Sequence, residues 1–334
     1  SLLPDTSARA VEFSQRIGTT PFTAALLLHR GITSDEEARA FLHPEKQPFH
    51  DPFLMRDMEK AVSRIEQAIQ AQERIVVYGD YDVDGITATS LLCRNLRQLG
   101  AAADYFIPHR QKDGYGLHKE TLDEIIAGGA RLIVTVDCGI SAVEEAAAAK
   151  DKVDLIITDH HLPGKELPKA LAVIDPHRAD CSYPDKNIAG VGVAFKLCQA
   201  LWQKMRGKSF TGDLDIVALG TVADVVPLLG ENRKIVQQGL RVLKKSKRSG
   251  IQALLAVTEL QEKEITAGHI GFVLAPRLNA AGRLASALRG VELLLTEDGE
   301  EAQAIAEELD AANRERQAVE QEILQAAEKQ IEEI

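Results

Sequence analysis

The stretch Ile75-Val76-Val77-Tyr78-Gly79-Asp80-Tyr81-Asp82-Val83-Asp84-Gly85 decides the fold of this chain. Its first three residues are β-branched, which favours a short strand. Three aspartates follow at alternating positions, and alternate residues of an extended segment point to the same side. Three carboxylates on one side repel each other unless a cation lies between them, and hard divalent cations prefer oxygen ligands. The pattern therefore predicts part of a metal site at the carboxyl end of a strand, where α/β proteins place their binding sites.

Two other interpretations fit the same residues. Asp-x-Asp-x-Asp-Gly also begins the calcium loop of an EF-hand, but that loop has a glutamate at its twelfth position, where this chain has Leu91. An EF-hand also needs a preceding helix, whereas residues 75–79 favour a strand. A solvated acidic turn stays open for this segment taken alone.

Composition limits the class of protein. The chain has 334 residues, 45% of them hydrophobic, which suffices for two ordinary domains with a large core. No run approaches the roughly 20 apolar residues of a membrane span, and no signal peptide is visible. The four cysteines are widely spaced without a Cys-x-x-Cys pair, which is typical of free thiols in a reducing compartment. We therefore expect a cytoplasmic protein without membrane contact and without a cysteine zinc site.

Charge is distributed unevenly. The net charge is −11, but residues 297–334 alone hold 13 acidic and 3 basic residues, so the first 296 residues carry only −1. A nearly neutral body with local basic segments, such as residues 244–248, is compatible with a nucleic-acid ligand. A solvated helix end is the more frequent explanation of such a segment.

Strand and helix patterns alternate from residue 75 to residue 174, which indicates βαβ units. We predict an α/β fold in which a mostly parallel sheet of about five strands is flanked by helices. A helical subdomain and a long connecting helix follow. The predicted boundaries are an N-terminal helical extension at 1–70, an α/β core at 71–188, a helical part at 189–296 and a long acidic helix at 297–334. One predicted helix of the helical part spans residues 214–226.

The last segment has no glycine or proline from Glu300 onward and no stop signal before Ile334. This pattern favours a helix that connects to a second domain absent from the chain. A terminal helix packed on the body is the alternative.

Further acidic and imidazole residues lie in comparable places. Asp137 and the pair His160-His161 follow predicted strands, and Asp224 lies among apolar residues, where an unpaired carboxylate is costly to bury. Neighbouring parallel strands would bring five of these ligands to one crevice, namely Asp80, Asp82, Asp84, Asp137 and His160. Their number suits two divalent ions, which can clamp the attacking and leaving oxygens of a phosphoryl transfer. Mixed carboxylate and imidazole ligands favour Mn²⁺, with Mg²⁺ as a substitute.

Three segments resemble the motifs of the DHH phosphoesterase superfamily: Gly-Asp-Tyr-Asp-Val-Asp-Gly (79–85), Val-Thr-Val-Asp-Cys-Gly-Ile-Ser (134–141) and Thr-Asp-His-His-Leu-Pro (158–163). Four more resemble the RecJ family of single-strand exonucleases within it. They are Asp-Gly-Tyr-Gly-Leu (113–117), Ala-Gly-Val-Gly-Val-Ala-Phe (189–195), Ala-Leu-Gly-Thr-Val-Ala-Asp-Val-Val-Pro-Leu (218–228) and Pro-Arg-Leu-Asn-Ala-Ala-Gly-Arg-Leu (276–284). The resemblance covers about residues 20 to 334.

The resemblance implies a function and a set of site residues. RecJ-like proteins degrade single-stranded DNA from its 5′ end to mononucleotides with Mn²⁺ or Mg²⁺, in recombination and repair. The implied ligands of two ions are Asp80, Asp82, Asp84, Asp137, His160 and Asp224, with Asp137 bridging. His161 is the implied residue facing the scissile phosphate, as general acid or electrostatic stabiliser. The implied phosphate-binding residues are Arg110 and Arg283, with Asn279 and Gly192 as weaker candidates. Gly192 has the alternative role of permitting close helix packing.

Two rival functions stay open. Another DHH phosphoesterase would cleave short oligonucleotides or cyclic dinucleotides with the same ligands. A non-catalytic replication scaffold would lack parts of the ligand set, which is complete here. The resemblance implies single-stranded DNA as ligand and leaves a helicase and a single-strand binding protein as candidate partners of an expected monomer. Because family members continue into a second domain, we interpret the chain as a catalytic-core fragment.

Overall fold

Five parallel strands form the centre of the computed structural model, which describes residues 8–109, 114–284 and 287–332. Their order across the sheet is β2-β1-β3-β4-β5. The strands are β1 (Arg74–Gly79), β2 (Ala102–Phe106), β3 (Leu132–Val136), β4 (Asp154–Thr158) and β5 (Ala172–Ile174). Helices cover both faces, so the central strands β1, β3 and β4 are mostly buried along their length rather than alternating. The predicted parallel sheet is confirmed.

Fifteen α-helices are assigned within the described residues. They are α1 (Ala8–Ile17), α2 (Pro21–His29), α3 (Asp35–Leu42), α4 (Met58–Gln70), α5 (Val83–Gln98), α6 (Lys119–Ala127), α7 (Val143–Ala149), α8 (Gly190–Arg206), α9 (Leu214–Ala223), α10 (Gly230–Lys244), α11 (Ser249–Val257), α12 (Ala267–His269), α13 (Ala275–Leu284), α14 (Leu288–Leu295) and α15 (Gly299–Glu332). A π-helical turn, Ile270–Leu274, joins α12 to α13.

Helices α4, α5 and α8 pack with one face of the sheet in the main hydrophobic core. Helices α6 and α7 cover the other face.

The three central strands end in register. Gly79 of β1 lies opposite Val136 of β3, which lies opposite Thr158 of β4. The residue that follows each of these strand ends is acidic: Asp80, Asp137 and Asp159. The chain leaves β1 for β2 on one side and later forms β3 on the other side. This reversal of strand order opens the crevice where α/β sheets bind their ligands.

Helix α9 ends earlier than the sequence predicts. The predicted helix ran to residue 226 because the apolar pattern continues, but the structure ends it at Ala223, with Asp224 at the C-cap. Val225 has φ 62°, in the left-handed region that a β-branched residue rarely adopts, and its side chain is 85% exposed. The turn explains why an acidic residue stands in this apolar run, since it places Asp224 at the end of the helix.

The N-terminal helices α1 to α3 share a small core of their own, formed by Phe13, Ala24, Leu27 and Ala38. Helix α3 begins at a capping box in which Ser34 and Glu37 satisfy each other's backbone N–H groups. The same helix contacts α10. This contact joins the N-terminal extension to the helical part of the fold.

Helix α15 is packed only along its first half. Ala302, Ile305 and Leu309 are fully buried, whereas every described side chain from Gln317 onward is exposed. The first half of the helix is therefore packed on the body, whereas the second half is exposed to solvent. Among the described residues, no helix is both long enough and apolar enough to span a membrane.

Candidate metal centre

The three aspartates of the opening motif lie on a strand end and a helix start. Asp80 follows β1, and Asp82 is the N-cap of α5, where its carboxylate accepts the Gly85 N–H at 3.0 Å. Asp84 lies in the first turn of that helix. The prediction that the three alternate along an extended segment is wrong for Asp84. The turn at Asp82 nevertheless keeps all three at the same edge of the sheet.

Asp84 is held by the start of α8. Its two carboxylate oxygens accept the N–H groups of Gly190 at 2.7 Å and Val191 at 2.8 Å. Such charge-assisted bonds fix a buried carboxylate firmly. Gly190 also leaves room for Asp137, because a Cβ at position 190 would lie 2.5 Å from Asp137 Oδ1. Sequence reasoning did not assign Gly190 to the site, although its Gly-x-Gly pattern was visible.

Gly192 lies two residues further along α8 and is buried. A Cβ at this position would lie 2.3 Å from the Cγ1 atom of Ile188. Close packing is therefore a sufficient reason for a glycine here.

Asp137 follows β3 with φ 60°, in the left-handed region, and is almost fully buried. Non-glycine residues held in this region are strained and cluster at functional sites. His160, which follows β4, brings its Nε2 atom to 3.1 Å from Asp137 Oδ1. The same Nε2 lies 3.7 Å from Asp224 Oδ2 and 3.8 Å from Asp84 Oδ2. One imidazole thus gathers carboxylates from three separate elements.

Four buried atoms of this cluster have no hydrogen-bond partner among the described residues: Asp80 Oδ1, Asp137 Oδ1, His160 Nε2 and Asp224 Oδ2. Buried polar atoms are normally satisfied, so a convergent unsatisfied set points to a missing ligand. Three groups of side chains bring their donor atoms within 4.8 Å of one another. These groups are Asp80–Asp82–Asp137, Asp84–His160–Asp224 and Asp137–His160–His161. The residues fit divalent cations, and Asp137 belongs to two of the groups.

Burial makes these acids reluctant to ionise without a cation. It raises the pKa of Asp80 to about 7, with the charge of Asp82 adding to the effect. Burial likewise raises the pKa of Asp84 and of Asp224 to about 7, and that of Asp137 well above its usual range. It also lowers the pKa of His160, which favours the neutral imidazole that binds metals. A bound cation would reverse the preference of the carboxylates.

His161 has different surroundings from its neighbour. Its Nδ1 lies 2.7 Å from Asp159 Oδ1 and 3.2 Å from the Tyr115 hydroxyl. The hydrogen bond to Asp159 raises the pKa of His161 to about 9. Burial would raise the pKa of Asp159, but the His161 ring and the Ile140 N–H hold it below its ordinary value. Sequence reasoning assigned no role to Asp159 or Tyr115, although Asp159 opens the Asp-His-His triplet.

The predicted phosphate-binding residues are described unevenly. Arg110 lies outside the described residues, and Arg283 lies in helix α13. Asn279 of the same helix has a buried Oδ1 without a hydrogen-bond partner in the described part of the chain. It lines a cavity of about 190 Å³ together with Val83 and Ala223, the neighbours of Asp82 and Asp224. Asn279 is thus beside the acidic cluster.

The fold and the acidic cluster are those of a DHH domain, and the family model described as the N-terminal domain of the DHH family matches residues 74–221. The single-stranded-DNA-specific exonuclease RecJ of Bacillus subtilis (strain 168) is 46% identical over 91% of this chain and 38% of its own length. RecJ of Escherichia coli (strain K12) is 43% identical over 90% of this chain and 54% of its own length. The chain belongs to the RecJ family, and it spans about half the length of the curated relatives it matches.

Solved structures agree with this assignment. A crystal structure of exonuclease RecJ bound to manganese is 38% identical, with a TM-score of 0.77 over 84% of this chain and 71% of that one. RecJ from Thermus thermophilus in complex with Mn²⁺ is 35% identical, with a TM-score of 0.82 over 96% of this chain and 46% of that one.

Proposed function

We propose that the chain is the catalytic core of a metal-dependent exonuclease. It degrades single-stranded DNA in the 5′-to-3′ direction by two-metal phosphodiester hydrolysis, releases 5′-mononucleotides and serves recombination and repair. The observation that carries the proposal is the set of buried, unsatisfied carboxylate and imidazole atoms at the ends of β1, β3, β4 and α9. The relatives from Bacillus subtilis and Escherichia coli are single-stranded-DNA-specific exonucleases, which supports single-stranded DNA as the substrate.

The ligand cluster would hold two ions, Mn²⁺ or Mg²⁺. Its members are Asp80, Asp82, Asp84, Asp137, His160 and Asp224, and Asp137 is the proposed bridge because it belongs to two of the donor groups. When bound, such ions polarise phosphate oxygens and lower the pKa of bound water. The chain itself fixes the geometry: two N–H groups of α8 orient Asp84, and the turn after α9 aims Asp224.

His161 is the proposed residue at the scissile phosphate. Its Nδ1 donates to Asp159, so Nε2 is the atom left to give a proton to the leaving oxygen or to stabilise its charge. Side-chain accessibility supports this role, since the His161 side chain is 46% exposed and that of His160 only 11%. Arg110, Arg283 and Asn279 are the proposed phosphate contacts, and Gly192 is the weakest candidate because packing explains it.

The proposed organisation is an N-terminal extension at 1–70, a DHH core at 71–188, a helical part at 189–296 and a connecting helix from 297. We expect a cytoplasmic monomer, with a helicase and a single-strand binding protein as candidate partners. Sedimentation of the purified chain with each partner tests this expectation.

The decisive experiment replaces Asp137 by asparagine. We expect Asp137→Asn to abolish cleavage of a 5′-phosphorylated single strand in Mn²⁺ and to lose the rise in melting temperature that Mn²⁺ gives the parent protein. Circular dichroism should stay unchanged. Asp123→Asn, which removes an exposed carboxylate from α6, is the matched control.

Cleavage by Asp137→Asn at the parent rate would refute the two-metal proposal. The same assay on a length series of single strands and on a cyclic dinucleotide identifies the substrate. Preference for the cyclic dinucleotide would favour the rival phosphoesterase function.

A further inference from the structure

A cavity of about 1000 Å³ lies between the N-terminal helices and the start of α10. Its walls include the apolar side chains of Ile32, Phe41 and Leu229. The cavity also reaches Leu228, four residues after Asp224, so the two Cα atoms are at most about 14 Å apart. None of the roles proposed for the metal centre uses this cavity.

Three cations line the cavity, Arg30, Arg233 and Lys234, and among the described residues none of them forms a direct ion pair, although the charge of Glu231 acts on Lys234. The Arg233 guanidinium lies 3.8 Å from the centre of the Phe41 ring, and its Nε donates to the Phe41 carbonyl at 2.7 Å. The Arg30 guanidinium lies 6.0 Å from the same ring, and Lys234 donates to the Gln47 carbonyl. Burial lowers the pKa of Arg233, with the charge of Arg30 adding to the effect, and it lowers the pKa of Lys234.

The two acids at the cavity wall are engaged elsewhere. Glu231 accepts Lys196 Nζ at 2.6 Å, the Tyr183 hydroxyl and the His50 N–H. Glu37 completes the capping box of α3 with Ser34. The cavity therefore presents the positive charges of Arg30 and Arg233, which form no ion pair within the described part of the chain, beside apolar and aromatic surface.

We propose that this cavity binds a nucleotide, with its phosphate between Arg30 and Arg233 and its base against the wall of Ile32, Phe41 and Leu229. The volume is far more than a phosphate alone needs and lies at the upper end of the range for small-molecule sites. Proteins that hold single strands pair cationic groups with aromatic faces in this way. The inference rests on the proposed function in that single-stranded DNA supplies the nucleotide, either as a unit of the strand or as the released mononucleotide.

The test measures binding of an oligothymidylate and of free 5′-dTMP in EDTA, where hydrolysis cannot proceed. We expect Arg30→Gln and Arg233→Gln each to weaken strand binding by about tenfold and to reduce the dependence of log affinity on log salt by about one unit. Lys208→Gln, which removes an exposed charge beyond the end of α8, should leave both quantities unchanged. Arg30 is exposed, so its replacement does not threaten folding.

Two outcomes support the proposal and identify the source of the nucleotide. Loss of strand binding alone means that the cavity holds a unit of the strand. Loss of both strand and 5′-dTMP binding means that a free mononucleotide also enters. Unchanged affinity for both ligands in both variants would overturn the proposal. It would be overturned equally if, with both nucleotide affinities unchanged, a poly-glutamate peptide bound the parent protein and not the variants, because the cavity would then be a site for acidic peptides.

The proposals for the cavity and for the metal centre can be refuted independently of each other. Arg233→Gln should keep its Mn²⁺-induced rise in melting temperature, which Asp137→Asn should lose. Asp137→Asn should keep its strand affinity in EDTA. If Asp137→Asn cleaves like the parent, the proposed function fails while the binding result for Arg30 and Arg233 still stands.

Discussion

The adjacent residues His160 and His161 have different surroundings, although the centres of their rings lie only 4.5 Å apart. His160 turns inward, where its Nε2 lies within 3.8 Å of three carboxylates. His161 turns toward solvent and is oriented by Asp159. The contrast predicts that one residue serves metal binding and the other serves catalysis.

Alanine substitutions separate the two roles. We expect His160→Ala to weaken Mn²⁺ binding, because the cluster loses its central nitrogen ligand. His161→Ala should keep Mn²⁺ binding but lose roughly 10²–10⁴-fold in the cleavage rate if it supplies a proton. Calorimetric titration with Mn²⁺ and single-turnover cleavage measure the two effects. Equal loss of metal in both variants would contradict the division.

The hydrogen bond between His161 and Asp159 also predicts a pH dependence. The folded-state pKa of His161, about 9, lies above the ordinary histidine value of about 6.5. The bond therefore stabilises the fold fully below pH ~6.5, and this contribution is lost as the pH rises through about 9. We expect His161→Ala to destabilise the metal-free protein more at pH ~6 than at pH ~10. Urea unfolding in EDTA at both values measures it, and an equal or larger loss at the higher pH would be inconsistent with a raised pKa.

The sequence could predict which residues are acidic and follow strands, since both features are local. It could not predict that Gly190 serves Asp84, because those residues are more than a hundred positions apart and meet only when α8 docks on α5. Nor could it assign Asp159 to His161 rather than to metal, because that depends on which way each ring turns.

At the scale of the elements, helices α8 and α10 are joined by a buried ion pair. Lys196 of α8 is fully buried, and its Nζ lies 2.6 Å from Glu231 of α10. Burial lowers the pKa of Lys196, although the charge of Glu231 opposes the shift. Since α10 begins six residues after Asp224, the pair also helps to position the segment that carries this proposed ligand.

Breaking this pair should be costly. We expect Lys196→Met to lower the free energy of unfolding by about 3–5 kcal/mol, because Glu231 stays buried without its cation. Adding Glu231→Gln should recover part of the loss. Lys204→Met on the same helix breaks an exposed pair with Glu59 and should cost much less, because solvent screens exposed ion pairs. Urea titrations at neutral pH compare the four proteins, and similar losses for Lys196→Met and Lys204→Met would mean that burial adds nothing.

The sequence predicted the alternation of strands and helices and the parallel sheet, because their apolar periods are strong. Helix α5 begins at Val83, inside the motif that the sequence analysis treated as extended. The Asp-x-Asp-x-Asp pattern resembled extended structure, and the N-cap role of Asp82 was hidden within it. At α9 the error was the opposite one. The continuing apolar run predicted a longer helix, but the backbone turns at Val225, in a conformation that valine rarely adopts.

At the scale of the whole molecule, α15 divides into a packed and an exposed half with the same kinds of residue. Ile305 is fully buried against the body, whereas Ile323 is 63% exposed. The first half therefore contributes to the stability of the fold, and the second half contributes little.

The two isoleucines form a matched pair of tests. We expect Ile305→Ala to cost about 2–5 kcal/mol, because it leaves a cavity in the core. Ile323→Ala should change the free energy of unfolding by no more than about 0.5 kcal/mol. Urea unfolding measures both. A large loss for Ile323→Ala would show that the second half is packed in solution.

The registered strand ends also have a consequence for folding kinetics. The proposed ligands from Asp80 to Asp224 span 144 positions of the chain, and they meet only when β1, β3, β4 and α9 have all docked. Contacts between residues so far apart in the sequence form slowly, because the entropy of closing each loop is lost before the contact stabilises the fold. We therefore expect the proposed metal centre to form late in folding. Recovery of Mn²⁺ affinity during refolding would report when the sheet has formed and α9 has docked.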